Sequence, residues 1–255
     1  MRAATTLSAL GLIVAVSQAA VAQDAALDTA IKSYLDKNPQ HLQRILRETL
    51  LQNPEMVQEA LLELQRRRAL AEAAVKTAAV RGHADQIFRS FHDGALGNAE
   101  GDVIVVEFFD YNCGYCKRAL SDTVELIGSN PRVKVVLKEF PVLGPGSVEA
   151  ARVAHAVRLL DPDGGSYQRF HKQLRAESGP INKARALAVA ADVGLDPSKV
   201  ETMMNDAAVN EAIDGVRNLA GTLGIRGTPS YVIGDSVVVG AVGLAALRDK
   251  IATLK

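Results

Sequence analysis

The sequence predicts an α/β fold over residues 82–255, preceded by an all-α segment, and three observations carry that prediction. Asp102–Phe109 (DVIVVEFF) is a β-branched and aromatic run with little alternation, as expected of a strand buried on both faces. A helical stretch from Cys113 to about Ile127 follows it and leads into a second strand-like run, Val133–Lys138, which makes a βαβ unit. Residues 26–80, in contrast, contain no glycine and carry apolar side chains at helical spacing throughout.

Taken in order, Asn38-Pro39 and Asn53-Pro54 each combine a helix stop, a cap and a proline suited to a first helical position. They divide the early segment into helices Leu27–Lys37, Gln40–Leu51 and Glu55 to about Val80. The apolar positions are Ile31 and Leu35, then Leu42, Ile45 and Leu46, then Val57, Leu61, Leu64, Ala71 and Val75. The last set alternates steps of four and three like a coiled-coil seam, with Arg68 interrupting it. Three such helices are too small to build a core alone. They must pack on the rest of the chain or on copies of themselves, and self-association is the preferred expectation.

Gly82 breaks the helical pattern. Gln86–His92 then alternates like an edge strand. Beyond the βαβ unit, residues 147–206 form a helical block punctuated by turns at Asp161–Gly165, Ser178-Gly179-Pro180 and Gly194–Pro197. An amphipathic helix is expected from about Ala208 to Leu223, with Gly224 placed to end it. Ser230–Ile233 and Ser236–Val239 read as a hairpin around Gly234-Asp235, and a helix over about Leu244–Thr253 closes the chain. This order, βαβ, helical block, αββα, is that of a thioredoxin fold with a helical insertion. The expected organisation is therefore a leader at 1–22, a helical oligomerisation segment at 23–81, and a catalytic domain at 82–255 with its insertion at about 147–206.

Composition limits the function classes. The chain has 255 residues, 48% of them hydrophobic, and formal charge zero, so no electrostatic footprint for nucleic acid is present. The basic run Arg66-Arg67-Arg68 reads as a solvated helix face. At the N-terminus, Arg2, an apolar stretch Leu7–Val16 and the small residues Ala20-Val21-Ala22 have the form of an export signal, with a mature start near Gln23. The expected location is the periplasm, without a membrane span after signal removal.

Only two cysteines are present, Cys113 and Cys116. Two cysteines in one turn cannot staple distant segments, so their value must lie in chemistry. They fall where a strand hands over to a helix. There the dipole and unpaired N–H groups stabilise a thiolate, so Cys113 is the expected nucleophile and Cys116, one turn inside, the resolving thiol. The competing reading is metal binding. One CxxC supplies two ligands where structural zinc takes four, and His83, His92, His155 and His171 show no ligand spacing near it. A soft ion such as Cu(I) would still suit two exported thiols. No resident metal or organic cofactor is expected.

The run Glu107-Phe108-Phe109-Asp110-Tyr111-Asn112-Cys113-Gly114-Tyr115-Cys116-Lys117, with Gly227-Thr228-Pro229 downstream, resembles the DsbA-like branch of the thioredoxin superfamily over roughly 86–255. The resemblance implies a cis Pro229 facing the cysteines, with the Thr228 backbone left to pair with an extended substrate. It also implies that Glu107 is a proton acceptor for the buried cysteine. Lys138 ends the adjacent strand and is a candidate counter-charge, though a purely structural ion pair is the alternative for both. Tyr115 is a candidate substrate contact, with simple surface exposure the alternative. Gly114-Tyr115 matches the pair in DsbC isomerases rather than the Pro-His of strong oxidases, and Thr228 points the same way. The helices separated by Asn-Pro, ending in Ala60-Leu61-Leu62-Glu63-Leu64-Gln65-Arg66-Arg67, resemble the ScsC (suppressor of copper sensitivity) branch. That implies a homotrimer through residues 24–80, an isomerase or reductase acting on exported proteins, and a membrane donor of reducing equivalents. A monomeric dithiol oxidase and a Cu(I)-binding copper-tolerance protein are the alternatives.

Overall fold

The structure, a computed structural model, describes residues 27–254. The expected leader, with Arg2, Leu7–Val16 and Ala20-Val21-Ala22, lies outside the described residues. The chain divides into two compact units, one ending at Ala69 and one beginning at Leu70.

The first unit contains helix α1 (27–37), α2 (Pro39–Gln52) and the start of α3 (Pro54–Gly82). Both prolines occupy the first helical position. Asn38 and Asn53 do not cap forward, however. Their Nδ2 groups donate back to the carbonyls of Tyr34 and Thr49, both at 2.8 Å, filling acceptors that a helix end leaves open. α2 buries no residue, and Leu42, Ile45, Leu46, Leu61 and Leu62 are all exposed.

The second unit starts inside α3, earlier than the composition change at Gly82 suggests, because Thr77 and Val80 belong to it by contact. Val80 is buried, and Thr77 Oγ1 donates to the Asp235 carbonyl at 3.3 Å. Then come α4 (Ala84–Phe88), β1 (Gly94–Gly97), β2 (Val103–Phe109), α5 (Gly114–Ser129) and β3 (Val133–Glu139). The insertion comprises α6 (Pro145–Leu160), α7 (Gly165–Ala176), α8 (Lys183–Asp192) and α9 (Pro197–Met203). α10 (Ala207–Thr222), β4 (Ser230–Ile233), β5 (Ser236–Val239) and α11 (Leu244–Ala252) complete the chain. The sheet order is β1-β3-β2-β4-β5, with β2 and β3 parallel and the other pairs antiparallel.

A second expectation fails here. The edge strand expected at Gln86–His92 does not form: helix α4 runs to Phe88, with Asp85 and Arg89 paired at 2.9 Å and only Ile87 of the helix buried, and a turn follows. The edge belongs to Gly94–Gly97. Gly94 is needed there because a Cβ would stand 1.8 Å from the Tyr167 ring.

Strand parity divides the side chains of the sheet between two cores. Val105, Phe109, Val135, Leu137, Tyr231 and Ile233 join the core beneath α5, α6 and α7, while Val106, Phe108, Val136 and Val232 join a second core with Val216 and Leu219 of α10 and Leu223 at its end. Glu107 therefore lies on the α5–α7 face. Lys138 pairs in register with Phe108 and lies on the α10 face.

Candidate active site

β2 ends in the turn that delivers the cysteines. Asp110, almost fully buried, organises this turn by accepting four hydrogen bonds: from the backbone N–H groups of Asn112 (2.8 Å), Val142 (2.8 Å) and Leu143 (3.0 Å), and from Ser147 Oγ (2.7 Å). Its carbonyl accepts from Cys113 N at 3.1 Å. Asn112 clamps a second loop: its Oδ1 accepts from Ile181 N at 2.7 Å, and its Nδ2 donates to the Ile181 carbonyl at 2.9 Å. Lys117 Nζ donates to the Glu177 carbonyl at 2.7 Å. The insertion is thus tied to both sides of the motif.

Cys113 is the N-cap of α5. Its sulfur accepts from Cys116 N at 3.4 Å, and its thiol donates to the Thr228 carbonyl at 3.3 Å. The Thr228–Pro229 peptide bond is cis. Both cysteines are free thiols. Cys113 keeps 6% exposure and Cys116 none, so only the outer sulfur is within reach of a protein substrate. Gly114 opens the helix. Tyr115 is 61% exposed, and the Arg118 guanidinium lies 4.4 Å from its ring centre. Burial, reinforced by the nearby Glu107, pushes the Cys116 thiol far above the ordinary range of a thiol, so it does not ionise unaided.

The counter-charge of Glu107 is not Lys138. Because the two strands pair with Glu107 opposite Leu137, Lys138 points to the other side of the sheet, where it forms a buried ion pair with Asp93 and donates to the Gln86 carbonyl. Burial holds the Asp93 carboxyl up at about 6 in spite of that lysine. Lys138 thus does not serve as the counter-charge of Glu107. Glu107 pairs instead with Arg175 of α7, whose Nη2 and Nη1 reach the two carboxylate oxygens at 3.0 and 3.2 Å; both side chains are fully buried.

Arg175 escaped the sequence reading, although a signal was available. Tyr167, Phe170, His171, Leu174 and Arg175 are all buried on α7 and follow the spacing of one helical stripe. A charge on a core stripe demands a buried partner. Asp110 and Asn112 were visible only as parts of the motif, because their partners, Ser147 of α6 and the loop residues Val142, Leu143 and Ile181, are remote in sequence.

These features, a five-stranded sheet, a dithiol at the head of the first crossover helix and a cis-proline loop in direct contact with it, define a thioredoxin-fold redox protein. Residues 104–252 match the DSBA-like thioredoxin domain. The chain belongs to that family of thiol–disulfide oxidoreductases. A thioredoxin-like oxidoreductase from Silicibacter pomeroyi is 42% identical, covers 66% of this chain and 95% of its own, and superimposes with a TM-score of 0.62. BcfH of Salmonella enterica Typhimurium is 25% identical with a TM-score of 0.73, covering 88% of this chain and 98% of its own. A Proteus mirabilis ScsC linker variant, 24% identical at a TM-score of 0.65 and covering 84% of this chain and 92% of its own, shares the fold. Among curated relatives, the thiol:disulfide interchange protein DsbA of Bordetella parapertussis is 23% identical over 68% of this chain and 83% of that protein. The Na(+)/H(+) antiporter NhaA 1 of Salinispora arenicola is 27% identical over 61% of this chain, which spans only 24% of the antiporter. Among the described residues, no helix is long and apolar enough to cross a membrane.

Proposed function

We propose that this protein is a periplasmic disulfide isomerase or reductase, exported by its N-terminal signal and acting on exported proteins through Cys113 and Cys116. The observation that carries this reading is the Cys113 sulfur, set at the start of α5 and 3.3 Å from the Thr228 carbonyl, with Cys116 sealed beneath it. Cys113 as thiolate attacks a substrate disulfide, forming one S–S bond and releasing one substrate thiolate. Cys116 then gives its proton to Glu107 and attacks the Cys113 sulfur. The mixed disulfide breaks, the second substrate sulfur leaves as a thiolate, and the enzyme ends as a Cys113–Cys116 disulfide. In isomerisation a substrate thiol displaces Cys113 instead. A membrane donor keeps the pair reduced.

Thr228 and Pro229 position the substrate backbone beside Cys113, while Gly114 and Tyr115 provide the rim. Residues 24–80 assemble the protein, with a trimer the expected number. The exposed apolar side chains of α2, together with Leu61 and Leu62 of α3, support that reading, since α2 buries nothing. Recovery of activity from scrambled ribonuclease is expected with the chain from Gln23 and is expected to fall when 24–80 is deleted. Equal recovery from both would remove the role of the helical segment.

A further inference from the structure

A continuous polar chain runs behind the cysteines through the α5–α7 face. Arg175 Nη1 and Nη2 grip both oxygens of Glu107, Nη2 also donates to the Cys116 carbonyl, and Nη1 lies 3.3 Å from His171 Nε2. His171 Nδ1 lies 3.2 Å from Tyr111 Oη, and Tyr111 and Tyr167 donate to Glu139 Oε1 at 3.3 and 2.9 Å. Arg175 Nε has no hydrogen-bond partner. The guanidinium thus leaves one donor unpaired in order to aim its fork at Glu107 and the Cys116 backbone.

We propose that Arg175, from the helical insertion, is a positioning residue for the dithiol: it holds Glu107 as an oriented carboxylate under Cys116 and so sets the pH range in which Cys116 resolves mixed disulfides. This rests on the reading of Glu107 as proton acceptor. The ionisable groups around the site come from every packed element. α5 supplies Cys113, Cys116 and Asp122; β2 and its following turn supply Glu107, Asp110 and Tyr111; β3 supplies Glu139; β4 supplies Tyr231; and α7 supplies Tyr167, His171 and Arg175. Arg175 is the cation in contact with Glu107; Lys172 acts on His171 from the same helix, and burial, with Arg175 and Lys172, holds His171 well below the ordinary histidine range and hence neutral. In the resolving step the Cys116 S–H bond breaks and its proton passes to Glu107. The thiolate attacks Cys113, the intramolecular disulfide forms, and the substrate sulfur departs with the electron pair. Without Arg175, Glu107 is a buried carboxylate with no counter-charge. It takes up a proton from solvent and is no longer available as an acceptor.

The test follows reduced full-length protein mixed with oxidised glutathione from pH 5 to 9, with acid quenching and intact mass to separate mixed-disulfide formation from its resolution. Arg175→Met and Glu107→Gln are each expected to slow resolution at neutral pH by at least about tenfold and to move its rise upward by about one pH unit. The first attack by Cys113 should stay within about twofold, as catalysis by position requires and general loosening does not. Arg175→Lys should restore part of the rate, as a point charge without the fork. The double variant Glu107→Gln/Arg175→Met, which buries no lone charge, should match Glu107→Gln alone. A wild-type profile for Arg175→Met alongside a shifted Glu107→Gln overturns the role of Arg175 and leaves that of Glu107 intact. A wild-type profile for Glu107→Gln overturns the underlying reading itself. Should Arg175→Met fail to fold, a double variant slower than Glu107→Gln alone overturns the proposal.

Discussion

Asp110→Ala probes how far the site depends on its support. The carboxylate accepts four hydrogen bonds at 2.7–3.0 Å. Of the four donors, the Ser147 hydroxyl is sealed from water; its oxygen keeps the bond from Asn112 Nδ2, but leaving its O–H without an acceptor costs about 1–3 kcal/mol. The three backbone N–H groups belong to half-buried or exposed residues, where water replaces the carboxylate, and together they add about 1 kcal/mol. The total is about 2–4 kcal/mol, which for a domain of this size lowers the midpoint of thermal unfolding by about 5–15 °C. Function should suffer beyond stability. Asp110 ties the Cys113 turn to the loop at Val142 and Leu143, and a misplacement of about 1 Å in a reacting group slows reaction by about a hundredfold. Calorimetry and stopped-flow exchange with oxidised glutathione at 25 °C give the two readouts. Asp110→Asn, which keeps one acceptor oxygen, should fall between. An Asp110→Ala protein that melts and reacts like the wild type would refute the claim that this carboxylate organises the site.

Glu139 gives a pH dependence of defined sign. Burial raises its carboxyl from 4.5 to about 8 despite hydrogen bonds from Tyr167 and Tyr111, so the folded state holds the proton more tightly than the unfolded chain. The stability from that proton is complete below about 4.5 and is lost as pH rises through about 8, an effect on the order of 3–5 kcal/mol. Denaturant unfolding at pH 5 and pH 8.5 should show wild type losing stability relative to Glu139→Gln as pH rises; a constant difference would contradict the assignment. Gly94→Ala places a Cβ 1.8 Å from the Tyr167 ring and should destabilise by about 2–4 kcal/mol. Gly128→Ala, with nothing within 4 Å on α5, should instead stabilise by up to about 1 kcal/mol.

What was legible in the sequence was local. The hairpin over 230–239 falls where its β-branched runs and Gly-Asp turn put it, and the Cys113 helix starts at the end of a strand too apolar to lie anywhere but mid-sheet. Two errors have one root: pairing between distant segments. Glu107 and Lys138 sit on adjacent strands, yet the register sets Glu107 beside Leu137, and a period of two then sends Lys138 to the opposite face. Gln86–His92 alternates as an edge strand does, but an antiparallel edge on β3 requires a residue without a side chain beneath Tyr167, and Gly94 provides it. Arg175 lies 68 residues from the glutamate it serves. Its helical stripe marks it as buried, but no local pattern names the partner.

The central claim is that Cys113 attacks and Cys116 resolves, and trapping tests it most directly. Reduced Cys116→Ser and Cys113→Ser proteins are each mixed with scrambled ribonuclease, quenched with acid and examined by intact mass. The account predicts that Cys116→Ser accumulates a covalent enzyme–ribonuclease disulfide through Cys113, while Cys113→Ser, whose remaining thiol is wholly buried, accumulates none. A mixed disulfide captured by Cys113→Ser and absent from Cys116→Ser would contradict it.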